Sequence, residues 1–294
     1  MPARLKKTGL PYLLLLPGLG WLVLFFAVPL GYMLFESLKT GTPDTGFLFS
    51  SPEFSNYSQA FSDFSEQLAR SFKYAALATG LCLLIGYPLA YVIAFRAGRW
   101  RNALLLAVIV PFFVTYLIRT LSWETILEDD GFIVNSLQTV GILGSEGRLL
   151  DTTASVVLGI TYNFLPFMVL PLYASLERID PRLQEAAYDL YGKRRDVFMR
   201  VTLPLSMPGV VAGTLLTFIP ACGDFINAKL LGTPQQYMIG NVIQSRYLEV
   251  GDYPTAAALS FILMGIMLIL VAIWAKVGGT EALLGTEGRE TVGV

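Results

Sequence analysis

Six stretches of this chain carry almost no charge over the length a helix needs to cross a bilayer. They run over about 10–35, 74–95, 102–123, 152–175, 201–223 and 253–275. About 20 apolar residues in a helix span the roughly 30 Å of hydrocarbon. A charge at the bilayer centre costs about 2.5–3.5 kcal/mol, whereas each Leu, Ile, Phe or Val returns about 0.3–0.6. Uncharged runs of this length therefore insert. The pattern predicts an all-α membrane protein with about six transmembrane helices. The third run is crowded at one end by Arg119 and Glu124.

Composition points the same way. Of the 294 residues, 54% are hydrophobic and only 15% charged, where a soluble domain carries about a quarter. The chain is therefore divided by spans and reads as a single transmembrane domain over 1–294. A net charge of -1 supplies no field to attract nucleic acid. Cys82 and Cys222 both lie in apolar runs, where a thiol behaves as a small hydrophobe. The absence of histidine removes the commonest general base and metal ligand. No catalytic residue, metal site or cofactor is assigned to the chain. The first apolar run follows Arg4, Lys6 and Lys7 and exceeds a signal-peptide core of about 7–15 residues, so it reads as an uncleaved anchor.

Basic residues set the orientation. Six spans place both termini on one side, together with Arg96, Arg99 and Arg101 and the dense set Arg178, Arg182, Lys193, Arg194, Arg195 and Arg200. Arg4, Lys6, Lys7, Lys276 and Arg289 join them. Positive charge collects in cytoplasmic loops, so both termini and the loop 176–203 are expected in the cytoplasm. On the other side, Ile133, Leu137, Val140 and Ile142 suggest a short interfacial helix. Met238, Ile239, Val242 and Ile243 mark a second segment too short to span.

The loop 176–203 is dense in charge and patterned. Asp180-Pro181 is a helix start, with Asp as cap and Pro in the first turn. Leu183, Ala186, Ala187 and Leu190 then fall on one helical face, and Gly192 can end the helix. Val197, Phe198 and Val201 suggest a second short helix, and Pro204 and Pro208 mark the start of the fifth span. The loop reads as a compact helical knob whose alanine pair admits close approach by another surface. The alternative is a solvated loop whose charges only set topology.

This segment resembles the signature loop of ABC importer permeases. Glu185, Ala186 and Ala187 match the Glu-Ala-Ala motif, and Phe198, Leu203 and Pro204 match its continuation. The family glycine falls at Tyr191, and the glycine here is Gly192, one residue later. The resemblance implies a type I ABC importer permease fold in the bacterial inner membrane. It also implies a coupling role for Glu185, Ala186, Ala187, Tyr191 and Gly192 against an ABC ATPase dimer. A second homologous permease and a periplasmic or lipid-anchored substrate-binding protein would complete the system. No Walker A pattern is present, so ATP and Mg belong to the partner. The runs Thr115 to Leu137, Phe218 to Pro234 and Met238 to Phe261 further resemble the first permease of spermidine/putrescine importers.

An amine substrate needs carboxylates for its ammonium groups and aromatic faces for cation–π contacts, each worth about 0.5–2 kcal/mol. The candidates are Glu124 beside Trp123, Asp224 beside Phe225, and Tyr162 and Asn163 near Pro166. Glu124 reads equally as a local ion pair with Arg119 or an interfacial residue in water, Trp123 and Tyr116 as aromatics of the interface belt, and Tyr162 and Asn163 as polar residues that join helices. A permease for another organic cation, an amino acid derivative, an anion or a sugar stays open, as does a membrane-embedded enzyme or channel.

Overall fold

The computed structural model describes residues 10–141, 144 and 147–278. Arg4, Lys6, Lys7, Ile142 and Arg289 lie outside the described residues. Among the described residues, five helices are long and apolar enough to cross a membrane: Leu14–Ser37, Ser55–Phe95, Thr153–Glu177, Arg194–Cys222 and Tyr253–Trp274. A sixth span is possible only as a bent pair, Gly98–Phe113 with Tyr116–Leu127, which turns by 95°.

The third run, expected as a span over about 102–123, is thus a bent pair of helices. Helix α4 (Arg101–Ile109) tightens into a 3-10 turn, Val110–Phe113, and α5 (Tyr116–Leu127) starts afresh. Pro111 lacks an N–H to continue the ladder, and Val114 and Thr115 are β-branched. Both adopt extended backbone, with ψ of 135° and 146°. Two other boundaries move outward. The second helical run begins at Ser55, with a kink at Phe64 (φ -119°, ψ 17°), and the fifth at Arg194. An apolar window sees only the part of a helix in hydrocarbon, and both helices carry charged turns beyond it.

The described residues group into two units. The first lies within Met1–Asp63 and Ile243–Leu263. Helix α1 (Leu10–Leu22) continues through a π-helical turn, Val23–Ala27, into α2 (Val28–Ser37). A hairpin follows, pairing β1 (Thr40–Thr42) with β2 (Gly46–Leu48) in the register Gly41 to Phe47. Asn56 donates to the carbonyls of Ser37 and Lys39, both at 2.9 Å, and fixes the end of α2.

The second unit lies within Phe64–Val242 and Met264–Val294. Its elements are α3 (Ser55–Phe95) from Phe64 onward, α4, α5, α6 (Phe132–Thr139), α7 (Thr153–Glu177), α8 (Pro181–Asp189), α9 (Arg194–Val197), α10 (Leu203–Cys222), α11 (Ile226–Leu231) and α12 (Ile239–Gln244). The later part of α13 (Tyr253–Gly278) belongs here too. Helix α7 is the axis of the unit: Met168, Val169, Leu172 and Leu176 are fully buried with Cys82 and Ala90. Lipid tails are as apolar as leucine, so helix association in a membrane rests on close packing and interhelical hydrogen bonds. Both occur here. On α10, Gly209 lies against Pro171 and Ser175 and Gly213 against Met168, so close that a Cβ would meet them at 2.5–2.8 Å. Tyr87 and Ser206 join α3 to α10 at 2.8 Å. Arg101 forms an ion pair with Glu177 and bonds the Tyr173 hydroxyl, tying α4 to the end of α7.

The short segment over Phe132–Thr139 is a helix, as its spacing suggests, but the side chain it buries completely is Val134, while Val140 stays exposed.

Candidate functional site

The helical knob is built as its sequence dictates. Asp180 accepts from the Arg182 N–H at 2.9 Å, and Pro181 occupies the first turn of α8. The helix ends at Asp189 in a Schellman motif. The Tyr191 N–H reaches the Tyr188 carbonyl at 2.9 Å, and the Gly192 N–H reaches the Ala187 carbonyl at 3.0 Å. Such an ending needs a left-handed residue, commonly glycine. Here it is Tyr191, with φ of 62°. Gly192 has a different reason to be small: a Cβ there would sit 2.5 Å from the Ala187 carbonyl oxygen. The shift between the family glycine and this one thus leaves the helix end intact. Leu190 and Tyr191 are 82% and 97% exposed. Glu185 and Ala186 are exposed and Ala187 half-buried.

This knob is attached to a long helix. Val197 of α9 is buried beside Gly192, and Gln184 reaches Thr202 at 3.5 Å. From α9 the chain runs through a π-helical turn, Phe198–Thr202, into α10 without a break.

At the far end of α10, Asp224 is the centre of a buried polar network. Its carboxylate accepts from the Tyr116 hydroxyl at 2.5 Å, from Asn227 Nδ2 at 2.6 Å and from the Asn227 N–H at 3.1 Å. Asn163 Nδ2 donates to Thr120 Oγ1 and Asn227 Oδ1, both at 3.2 Å. The network joins α5, α7 and α11. Burial pushes the Asp224 carboxyl above the usual carboxylate range, against the opposing pull of its donors.

Three expectations change. Asp224 is only 6% exposed and its oxygens accept from Tyr116 and Asn227, so in this structure it is closed off within a helix-joining network; Asn163 belongs to the same network, in its alternative reading as a polar residue that joins helices. Phe225, by contrast, is more than one-third exposed. Tyr116, read from sequence as a belt aromatic, has its hydroxyl bonded inside this network. Arg119 does not pair with Glu124. Five residues apart on α5, they point about 140° apart around the helix. Arg119 instead lies over the rings of Phe112 and Tyr116, at 4.9 and 5.6 Å. Its Nε and Nη1 find no hydrogen-bond partner among the described residues.

Two of the remaining candidates do come together. Trp123 on α5 packs edge-to-face on Tyr162 of α7, with ring centroids 5.4 Å apart. Glu124 follows Trp123 and is half-buried.

A family profile described as binding-protein-dependent transport system inner membrane component matches residues 86–277. The chain belongs to this family. The spermidine/putrescine transport system permease protein PotB of Salmonella typhimurium is 38% identical, covering 85% of this chain and 88% of that protein. PotB of Escherichia coli (strain K12) is 37% identical, covering 85% and 92%. Among solved structures, the bacterial alginate ABC transporter in complex with an alginate pentasaccharide-bound periplasmic protein has a chain that matches with a TM-score of 0.73. The identity is 22%, covering 95% of this chain and 99% of that one. The fold is that of an ABC transporter permease, and the chain is a multi-pass membrane component of such a transporter.

Reading the sequence alone missed several residues of this permease. Gly209 and Gly213 carry the four-residue spacing of small residues that brings membrane helices together, and that spacing was available. Thr120 and Asn227 gave no local signal, because they meet each other and Asn163 from distant parts of the chain; Arg119 stood out as a charge in an apolar run, but not its place over Phe112 and Tyr116.

Proposed function

We propose that the chain is the first permease subunit of an ATP-driven importer for polyamines, working by alternating access. The single observation that carries this reading is the exposed Glu185-Ala186-Ala187 knob, continuous with a spanning helix, in a chain whose 37–38% identical relatives are spermidine/putrescine permeases. In this reading both termini and the knob face the cytoplasm. ATP and Mg are bound by a separate ATPase dimer. A second homologous permease completes the pathway, and a periplasmic or lipid-anchored binding protein delivers the solute.

The mechanism follows from how the parts are joined. Closure of the ATPase dimer on ATP moves the knob. Glu185, Ala186, Ala187, Tyr191 and Gly192 form its contact surface and turn. Because α8 packs on α9, and α9 runs on into α10, the movement passes along α10 to the Asp224 network. That network binds α5 and α7, which carry Trp123, Glu124 and Tyr162. The Trp123–Tyr162 pair offers an ammonium group its ring surfaces, and Glu124, one position on along α5 and about 100° around it, a carboxylate further along the same path, with Phe225 as a further aromatic surface. Inward movement of a cation is favoured by about 2.3 kcal/mol per charge per 100 mV, so the pathway needs few carboxylates.

Uptake of labelled spermidine and putrescine in a strain lacking this chain tests the reading. Uptake is expected to fall to background and to return with the wild-type chain. Restoration is expected to fail with Ala187→Arg, which should also release the ATPase during copurification. Unchanged polyamine uptake in the deletion strain overturns the substrate. One observation favours a second reading, an anionic solute: the buried Arg119, with two nitrogens lacking partners among the described residues. Under that reading Arg119→Gln abolishes uptake of the anion and Glu124→Gln does not.

A further inference from the structure

The unit formed by Met1–Asp63 and Ile243–Leu263 contains a cavity of about 450 Å³, within the size range of small-molecule sites. Its wall includes Tyr32, Met33 and Glu36 of α2, Tyr247, and Tyr253 and Ser260 of α13. None of these takes part in the coupling knob, the Asp224 network or the Trp123–Tyr162 pair. The wall is mostly apolar, with one carboxylate and three phenol rings. Tyr247 and Tyr253 stand edge-to-face with centroids 5.1 Å apart. Glu36 is only 8% exposed. A buried acid at the end of a membrane helix is retained against a desolvation penalty, and it asks for a cation.

The chain supplies one such cation itself. Lys39 Nζ lies 2.6 Å from Glu36 Oε1 and 5.3 Å from the centre of the Phe35 ring. An ammonium held between this carboxylate and an aromatic face is therefore already compatible with the local geometry. Lys39 is not among the residues lining the cavity, so it approaches Glu36 from outside while Glu36 still faces the cavity. The rings of Tyr32, Tyr247 and Tyr253 offer further cation–π surface, each contact worth about 0.5–2 kcal/mol.

We propose that this cavity binds an alkylammonium group, from either a free small amine or the ethanolamine headgroup of a phospholipid. Glu36 is the counter-charge, the three tyrosines form the wall, and Lys39 is an internal competitor for the carboxylate. The proposal rests on the lining and not on the polyamine reading.

Equilibrium binding of labelled spermidine and labelled glycerophosphoethanolamine to the full chain with its partner subunits tests this, in non-ionic detergent without added lipid. All measurements use a Glu124→Gln background, which removes the proposed pathway carboxylate. At least one probe is expected to bind. Glu36→Gln should weaken that binding about tenfold or more, and Tyr253→Leu about three- to tenfold. Lys39→Ala should strengthen it several-fold, a gain that a misfolded variant cannot show. Binding of spermidine alone identifies a free-amine site. Binding of glycerophosphoethanolamine, or its displacement of spermidine, identifies a headgroup site. Binding of neither probe, or affinity unchanged in both Glu36→Gln and Lys39→Ala, overturns the proposal. Polyamine uptake unchanged in the deletion strain, with Glu36-dependent binding intact, would overturn only the substrate reading.

Discussion

Tyr191 occupies a left-handed position that glycine fills at little conformational cost, and its ring projects into solvent. A non-glycine residue pays about 1–2 kcal/mol for that backbone. Tyr191→Gly is therefore expected to steady the end of α8 by about 1 kcal/mol and to slow amide exchange over 186–192 in the full complex. Removing the exposed ring should at the same time weaken the hold on the ATPase. Gly192→Ala should do the reverse to the backbone, because its Cβ would meet the Ala187 carbonyl; overpacking of this kind costs about 1–3 kcal/mol. At the other end of α10, Tyr116 and Asn227 donate to a buried carboxylate, and hydrogen bonds to charged groups contribute about 1.5–3 kcal/mol. Tyr116→Phe and Asp224→Asn should each lower the thermal midpoint of the purified complex. Because the two residues share one bond, the double variant should lose less than the sum of the singles. Additive losses would mean that the bond contributes nothing.

The packing of α10 on α7 is set by two glycines whose neighbours differ in kind. Gly209 faces backbone and Cβ atoms of Pro171 and Ser175, while the nearest atom to Gly213 is the flexible Met168 thioether. Gly209→Ala is therefore expected to destabilise the complex clearly more than Gly213→Ala, read as the difference in detergent melting temperature; equal effects would contradict the close contact. Elements of this kind separate what the sequence discloses from what it hides. The apolar windows located the spanning helices because insertion depends on composition summed over about 20 residues. The Asp180-Pro181 cap disclosed α8 for a similar reason, since capping is local. The 95° turn between α4 and α5 was hidden. Pro111 and the Val114-Thr115 pair weaken a helix, but the new direction is held by Tyr116 and Thr120 meeting residues more than a hundred positions away. The role of Asp224 was hidden likewise: the sequence shows an acid near membrane depth, and only its three donors show that it is spent on structure.

Across the whole permease, the knob and the Asp224 network sit at opposite ends of one helical run, Arg194–Cys222, 29 residues long, or about 44 Å at 1.5 Å per residue. A cytoplasmic knob makes a direct prediction about access. Tyr191→Cys places a thiol at a nearly fully exposed position, whereas Cys82 and Cys222 are buried. An impermeant maleimide should label the variant, expressed without its ATPase, in inside-out vesicles and not in intact cells; labelling from outside would reverse the topology and end the coupling model. If α10 transmits force, its stiffness between knob and network matters more than any contact at either end. Met199 and Arg200 are exposed in the π-helical turn that joins α9 to α10, so replacing both with glycine removes little packing. It weakens the helix by about 1 kcal/mol per residue. Met199→Gly with Arg200→Gly should leave the ATPase bound and hydrolysing, yet reduce solute moved per ATP several-fold in proteoliposomes. An unchanged ratio would show that movement reaches the pathway by another route, with α10 as a passive strut.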